Sequence, residues 1–237
     1  MKKPFRFKQF TIHQDRCAMK VGTDGVLLGA WASLEHHPNT VLDIGAGTGV
    51  IALQLAQRSH AEVIDAIELD EDAYEQCVEN FEASDWGDRL FCYHASVQEF
   101  AEEMDETYDL IVSNPPFYVE DVSSGNSARD RARQANTMPF EVLLASAVKL
   151  LGDDGEFAVI VPFKEEAHIT QLAKTFGLFP KLITRVKGNS AAQIKRSLLQ
   201  FSFRSQEAIT TALTIETERH QYTAEYQALT KDFYLKM

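Results

Sequence analysis

Glycines at three alternating positions, directly after an apolar run, constrain the fold of this chain more than any other feature of its sequence. The apolar run is Thr40–Ile44, the glycines are Gly45, Gly47 and Gly49, and apolar residues then recur at helical spacing across Val50–Arg58. Glycine lets the backbone turn tightly and approach a ligand closely. The pattern therefore predicts a buried strand, a ligand-binding turn and a helix, in that order.

Strand and helix patterns continue to alternate along the chain at short spacing. Strands are predicted at residues 40–44, 62–67, 90–93, 108–112, 156–161, 182–186 and 197–203. Helices are predicted at residues 26–32, 50–58, 71–82, 97–104, 140–151, 165–176 and 224–233. This alternation indicates βαβ units, and hence an α/β fold with a doubly wound, mostly parallel, seven-stranded sheet. Only the polar segment 188–193 separates the last two strands, which predicts an antiparallel hairpin at the edge of the sheet.

The length of 237 residues suits a single domain. We divide it into a basic N-terminal extension with a short helix (1–39), a core (40–204) and a C-terminal extension with a helix (205–237). No run of about 18 apolar residues predicts a membrane span, and the first residues lack the apolar centre of a secretory signal. The three cysteines are scattered, which favours a reducing, cytoplasmic location. The histidines do not lie at the spacing of metal ligands, so no metal is expected.

The formal net charge of −12 is unevenly distributed. Residues 1–31 hold six Lys or Arg against two Asp or Glu, residues 32–113 hold two against nineteen, and residues 114–204 hold twelve against nine. A polyanion can therefore dock on the flanks while the acidic stretch faces away, and no obligate protein partner is indicated. The residues predicted to contact its phosphates are Lys2, Lys3, Arg6, Lys8, Arg129, Arg131 and Arg133.

Two carboxylates follow strands at positions that suit a nucleoside cofactor. Asp43 is near the end of the first core strand, and Glu68 ends the second. Glu68 can accept both hydroxyls of a ribose, which NAD and S-adenosylmethionine share. Asp43 suits the cationic amino-acid tail of S-adenosylmethionine and would repel the pyrophosphate of NAD. The glycines match the six-residue glycine pattern of dinucleotide-binding proteins only in a shifted register, from Gly47 to Ala52. An NAD-binding protein therefore stays an alternative interpretation.

The third core strand is followed by Ser96, where an acid would be expected beside the adenine amine of such a cofactor. A serine hydroxyl can still form hydrogen bonds. The predicted cofactor-binding residues are Asp43, Gly45, Gly47, Gly49, Glu68, Leu69, Ser96, Val97 and Asn114.

The fourth core strand ends at Asn114-Pro-Pro-Phe117, and this segment indicates the class of reaction. Because prolines supply no N–H donor, carbonyl groups dominate the turn. The Asn114 side-chain oxygen and the Pro115 carbonyl can accept both hydrogens of an exocyclic –NH₂ group, while Phe117 stacks on its ring. Two such acceptors favour the charge that develops on nitrogen as a methyl group arrives, and they orient the amine. Asn114, Pro115, Pro116 and Phe117 are therefore predicted to be catalytic, with Phe117 also contacting the substrate.

These motifs resemble those of the Rossmann-like, class I S-adenosylmethionine-dependent methyltransferases that act on amino groups. Within that class, residues 7–31 and 222–235 are similar to the bacterial tRNA1(Val) (adenine-37-N6)-methyltransferase family, so the resemblance spans nearly the whole chain. It implies an enzyme with S-adenosylmethionine as cofactor and adenine 37 of a valine tRNA as substrate. The family often has Tyr where this chain has Phe117, which leaves guanine N2 chemistry open.

Other interpretations differ in what they require of the chain. Guanine N2-methyltransferases of rRNA and glutamine N5-methyltransferases of proteins resemble the same four-residue motif. The glutamine enzymes usually carry an extra helical domain, which the 39 residues before the first core strand cannot hold. The intact Asn114–Phe117 motif argues against a non-catalytic RNA-binding module. An NAD oxidoreductase would need a hydride-transfer acid or base near the fourth core strand, and none is obvious there.

Overall fold

The computed structural model describes residues 3–116 and 138–236 of the chain. Its strands are β1 (Phe5–Arg6), β2 (Thr11–Ile12), β3 (Thr40–Ile44), β4 (Val63–Glu68), β5 (Leu90–His94), β6 (Tyr108–Ser113), β7 (Leu151–Pro162), β8 (Phe179–Asn189), β9 (Ile194–Ser202), β10 (Ile209–Glu218) and β11 (Gln221–Tyr222). Its α-helices are α1 (Thr23–Trp31), α2 (Val50–Arg58), α3 (Glu71–Glu82), α4 (Val97–Glu103), α5 (Phe140–Leu150), α6 (Glu166–Thr175) and α7 (Ala224–Thr230).

Nine strands of the described residues form one sheet, in the order β11-β10-β8-β9-β7-β6-β3-β4-β5. The strands from β7 to β5 run parallel to one another. Helices cover both faces, because one apolar layer packs α1, α2 and α3 on the sheet and a second packs α4, α5 and α6. The predicted α/β class and its doubly wound, mostly parallel sheet are confirmed, and this sheet has two strands more than the seven predicted.

The antiparallel hairpin of β8 and β9 forms as predicted, but its predicted place at the edge of the sheet is wrong. β9 pairs with β7 on its other side, and β10 adds to β8 in parallel, with β11 beyond it. β10 lies in the C-terminal extension, where only a helix was predicted. Leu213 is the one buried residue of β10, and only four of its ten residues are apolar, so the apolar signal that predicts strands in a sequence is weak here.

β7 begins at Leu151, where the sequence predicted the end of a helix and then a turn over residues 152–155. Pairing with β6 already starts at Leu151 opposite Tyr108, and it resumes at Glu156 opposite Leu110. The intervening residues therefore form a bulge in the pairing of β6 with β7, and they do not form the predicted turn after the helix. A Cβ on Gly155 would lie 2.8 Å from the carbonyl oxygen of Tyr108, so the close approach at this bulge requires glycine.

Local sequence signals set the start of two helices near the candidate site. Asp70 caps α3 by accepting a hydrogen bond from Ala73 N at 2.9 Å, as predicted. Ser96 and Glu99 form a reciprocal capping box at the start of α4. α1 begins at Thr23, earlier than predicted, and has no side-chain cap.

The two ends of the described chain pack against each other on one face of the sheet. Phe7 forms a β-bridge with Tyr234, and Lys8 N donates to the carbonyl oxygen of Phe233 at 2.8 Å. Phe7 and Phe233 belong to the same apolar layer as α1 and α2. Among the helices described, none is long and apolar enough to cross a membrane.

Candidate active site

The glycine turn between β3 and α2 adopts a left-handed backbone at each of its glycines. The φ angles are +74° at Gly45, +55° at Gly47 and +76° at Gly49, values that L side chains rarely adopt. A Cβ on Gly49 would lie 2.5 Å from Phe81 of α3, so packing also requires glycine there. A Cβ on Gly45 or Gly47 would meet nothing within 4 Å. The first two glycines therefore leave space beside the backbone that a ligand can fill.

Glu68, at the end of the neighbouring strand β4, holds this turn in place. Its Oε2 accepts from Gly47 N at 2.8 Å, and its Oε1 accepts from Leu69 N and Asp70 N, both at 2.9 Å. An ionised carboxylate offers about four acceptor positions, so about one remains for a ligand hydroxyl. The sequence predicts that Glu68 accepts hydrogen bonds from both hydroxyls of a ribose. To do so, Glu68 would have to replace one of these backbone hydrogen bonds with a bond to the ligand.

Asp43 lies fully buried beneath the glycine turn. Its Oδ2 accepts from Ala52 N at 3.2 Å, and its Oδ1 has no hydrogen-bond partner among the described residues. Burial, with a smaller contribution from the charge of Glu68, raises the pKa of Asp43 from 3.8 to about 7. An unpartnered oxygen of a buried acid fits a cationic or hydrogen-bond-donating ligand, which would favour the ionised form.

Three further predicted cofactor residues, Leu69, Ser96 and Val97, follow the ends of β4 and β5. Leu69 is 56% exposed, which is unusual for a large apolar side chain next to a functional turn, whereas Val97 is buried. The Ser96 hydroxyl donates to Glu99 Oε2 at 2.7 Å and accepts from Glu99 N at 3.2 Å. A contact between Ser96 and a cofactor therefore competes with the capping of α4.

Asn114 stands at the end of β6, next to the glycine turn. β6 pairs in parallel with β3, so that Ser113 lies opposite Ile44 and its Oγ donates to the Ile44 carbonyl oxygen at 2.9 Å. This register brings Asn114 beside Gly45. Pro115 is buried and Pro116 is half-buried. Phe117, Arg129, Arg131 and Arg133 lie outside the described residues.

The first turn of α1 forms a second wall beside Asn114, and the sequence did not reveal it. An ideal Cβ on Gly25 would lie 3.9 Å from Asn114 Nδ2 and 3.2 Å from Val50 Cγ1. α1 therefore lies beside Asn114, and its close approach to the start of α2 depends on the absence of a side chain at residue 25. A glycine within a helix costs stability, and a glycine at the start of this helix is the sequence signal that could have indicated a close approach here.

α3 ties the N-terminal segment to the glycine turn through two buried amides. Asn80 accepts from His13 N at 2.8 Å and donates to the carbonyl oxygens of His13 and Thr48, both at 2.9 Å. Gln76 accepts from Asp15 N at 3.0 Å. Two amides four residues apart within the apolar face of a helix are the sequence signal for this contact. The segment before α1 thus contributes to the architecture of the site.

The basic residues near the N-terminus have different surroundings. Lys3 and Arg6 are exposed. Lys8 is also exposed, but its Nζ donates to the carbonyl oxygen of Lys231 at 2.6 Å, so it takes part in joining the two ends of the chain. Lys2 lies outside the described residues. Within residues 3–116 and 138–236, no group of three or more His, Cys, Asp or Glu could hold a metal ion.

Comparison with known proteins agrees with this geometry. Residues 25–187 match the family model described as methyltransferase small domain. A protein of Christiangramia forsetii named tRNA1(Val) (adenine(37)-N6)-methyltransferase is 58% identical over 236 residues, which cover 99% of this chain and 98% of the relative. A protein of the same name from Flavobacterium johnsoniae is 62% identical, over 98% of this chain and 100% of the relative.

A solved structure shows the same fold at much lower sequence similarity. It is described as a predicted O-methyltransferase of Agrobacterium tumefaciens, and it has a TM-score of 0.65 at 19% identity, over 89% of this chain and 96% of that chain. The family model matches more than half of the chain, and both relatives align with almost all of it. The chain therefore belongs to the methyltransferase small domain family and, within it, to the family of the tRNA1(Val) (adenine(37)-N6)-methyltransferases.

Proposed function

We propose that this protein transfers a methyl group from S-adenosylmethionine to the N6 amine of adenine 37 in tRNA1(Val). The observation that carries the proposal is the juxtaposition of Asn114 with the glycine turn in the paired register of β3 and β6. Methyl transfer to an amine requires a hydrogen-bond acceptor for the amine close to a turn that binds the methyl donor. Here the two lie at the ends of adjacent strands. The two relatives that align with nearly the whole chain bear the name of this activity.

The residues of the turn fit S-adenosylmethionine. The open space beside Gly45 and Gly47 admits the ligand close to the backbone, and the unpartnered Oδ1 of Asp43 suits its ammonium group. The remaining acceptor position of Glu68 suits a ribose hydroxyl, and the exposed Leu69 offers an apolar surface to an adenine ring. When bound, the cofactor supplies an electrophilic methyl group on a sulfonium ion.

At the target amine, Asn114 and Pro115 orient the nucleophile. The Asn114 side-chain oxygen and the Pro115 carbonyl oxygen accept the two N–H groups of N6, which points the nitrogen lone pair at the methyl carbon. The positive charge that would develop on nitrogen during methyl transfer would be stabilised by these two acceptors. The methylated amine would then release one proton to solvent, which leaves N6-methyladenine. Stacking of Phe117 on the adenine remains a prediction from the sequence.

The other assignments made from the sequence are proposals of the same kind. We infer that residues 1–237 act as one domain, and the packing of the two chain ends beside α1 supports this. The assignment of Lys3, Arg6, Lys8, Arg129, Arg131 and Arg133 to RNA docking is also proposed, from their charge. An enzyme that modifies tRNA in this way would work in the cytoplasm.

The test uses purified protein, S-adenosylmethionine and two transcripts of tRNA1(Val), one with adenine and one with guanine at position 37. Nucleosides from each reaction are separated and identified by mass spectrometry. We expect N6-methyladenosine from the adenine transcript and no methylated product from the guanine transcript, with Asn114→Ala as the inactive control. Methylation of the guanine transcript alone would replace the proposal with guanine N2 chemistry. Tight RNA binding with no methylation of either transcript would favour a non-catalytic RNA-binding protein.

A further inference from the structure

Near Asn114, tyrosine side chains from the C-terminal part of the chain line a cleft of about 570 Å³. Tyr222, Tyr226 and Tyr234 form this tyrosine cleft together with Phe5 and Lys236. The tyrosines come from β11, from α7 and from the segment after it, whereas Phe5 belongs to β1. Both ends of the chain therefore build the cleft, and none of these residues belongs to the site described above.

The cleft opens beside the proposed site of methyl transfer. Thr23 lines it and lies in the same helical turn as Gly25, whose ideal Cβ would be 3.9 Å from Asn114 Nδ2. Residues two apart in a helix project to nearly opposite sides, and a helix with its side chains is about 10–12 Å across, so this wall of the cleft lies about one helix diameter from Asn114. Gly188, at the end of β8, lines another part of the cleft. β8 runs parallel to β7 and β6. Gly188 and Asn114 therefore both lie at the carboxyl ends of these strands, on the same side of the molecule.

The aromatic rings of the cleft are held at defined angles. Tyr226 is 3% exposed, and Tyr234 is half-buried. Tyr222 is half-buried, and its ring centroid lies 5.3 Å from that of Tyr226 at an interplanar angle of 39°. Tyr222 also pairs with Glu216 of β10, which lines the cleft and whose Oε1 accepts from His220 N at 3.2 Å. Tyr226 thus forms a buried wall of the cleft, and the half-buried Tyr222 presents a more accessible ring than Tyr226.

The chemistry of the cleft matches a nucleobase with its phosphate. Its volume lies within the range of about 300–1,000 Å³ that is typical of small-ligand sites. Aromatic side chains stack on the faces of bases whatever their identity. Glu216 can accept a hydrogen bond from an N–H group of a base, and the exposed Lys236 can contact a phosphate.

We propose that the tyrosine cleft binds a nucleotide adjacent to the target adenine, by stacking its base against Tyr222. This inference rests on the proposed function, because it takes RNA as the substrate. An adenine that enters the active site must leave the stack of its neighbours. Stacking of a neighbouring base in the cleft replaces the contact that the neighbour loses, and it holds the RNA in register with Asn114.

The experiment compares two substitutions of Tyr222 on matched RNAs. Tyr222→Phe keeps the aromatic ring, whereas Tyr222→Leu keeps an apolar side chain and loses the flat face. We expect Tyr222→Leu to weaken binding of the RNA stem-loop that contains the target adenine by about 5- to 150-fold, the usual effect of removing one stacked base. Tyr222→Phe should retain the affinity of the wild type. The matched control is Phe91→Leu, because Phe91 is an exposed aromatic residue on β5, at the opposite edge of the sheet.

An abasic substitution in the RNA, placed in turn at the two nucleotides on each side of the target, identifies the stacked base. At one of these positions the loss should match that of Tyr222→Leu, and the two changes together should cost no more than either alone. Unchanged affinity of Tyr222→Leu with normal S-adenosylmethionine binding, or additive losses at all four positions, would overturn the proposal. Neither result touches the proposed function, which fails only if the wild-type protein does not methylate the adenine transcript.

Discussion

The two halves of the candidate site are built in different ways. The cofactor half is built mainly from one stretch of sequence, residues 43–70, in which Gly45, Gly47 and Gly49 adopt left-handed angles and Glu68 accepts hydrogen bonds from three backbone N–H groups. The target half combines Asn114 with Gly25 of α1 and, as proposed, with the tyrosine cleft, whose residues come from both ends of the chain. The cofactor half is therefore fixed largely by local backbone geometry, whereas the target half depends on long-range packing.

If the halves are separable, the largest effect should come from a change in the target half that leaves the cofactor half intact. We expect Asn114→Ala to slow single-turnover methyl transfer by about a hundredfold or more, because loss of one group aimed at developing charge costs about 2.7–4 kcal/mol in the barrier. The rate is measured on tRNA with saturating cofactor, beside calorimetry of S-adenosylmethionine binding. A near-normal rate, or a loss of cofactor affinity as large as the loss of rate, would contradict the division.

Substitutions in the cofactor half should have the converse effect. Asp43→Ala and Glu68→Ala should each weaken S-adenosylmethionine binding by about ten- to 150-fold, because each removes a hydrogen bond to a charged group worth about 1.5–3 kcal/mol. Glu71→Gln is the control, because Glu71 is an exposed acid in the first turn of α3, three residues from Glu68. Calorimetry that finds wild-type affinity for one of the two Ala variants would remove that residue from the cofactor site.

The cofactor half should also respond to pH through Asp43. Burial raises its pKa from 3.8 to about 7. Between these two pH values, Asp43 of the ligand-free folded protein keeps a proton that the unfolded chain has lost. The free energy of unfolding should therefore fall as pH rises through this window. A cationic ligand needs the ionised form, so its affinity should rise by up to about tenfold from pH 6 to pH 8. Calorimetric titrations at several pH values test this, and Asp43→Asn should give a profile without that rise. An equal rise in the Asn variant would assign the titration to another group.

The smallest predicted effect probes the contact between α1 and the target half. In Gly25→Ala the new Cβ would lie 3.2 Å from Val50 Cγ1, which must give by a few tenths of an ångström, and 3.9 Å from Asn114 Nδ2, an ordinary van der Waals distance. The crowding of this wall beside Asn114 should slow methyl transfer by about two- to fivefold. Alanine favours a helix over glycine by about 1 kcal/mol, so the melting temperature should not fall by much. A rate equal to that of the wild type would show that α1 does not position Asn114.

Much of the core could be predicted because the signals that define it are local. Strand β3 and helix α2 have the bounds predicted, Asp70 caps α3, and the glycine turn has the positive φ angles that three glycines permit. Each of these features depends on residues only a few positions apart. The roles of individual side chains in binding and catalysis stay predictions until the experiments above are done.

Other features could not be predicted, because the contacts that create them join residues far apart in the sequence. The hairpin of β8 and β9 lies inside the sheet only because β10 adds beyond it, and β10, with four apolar residues in ten, gives too weak an apolar signal to be identified alone. β7 starts at Leu151 because Tyr108 offers a pairing partner there.

The sequence alone thus determined the α/β fold, the glycine turn and the two carboxylates beside it. Only the tertiary structure decided that Gly25 lies against Asn114 and that tyrosines near the C-terminus line a cleft beside it. The physical reason is that turns and caps depend on the torsion angles and hydrogen bonds of neighbouring residues, whereas a cleft depends on how distant apolar surfaces pack together.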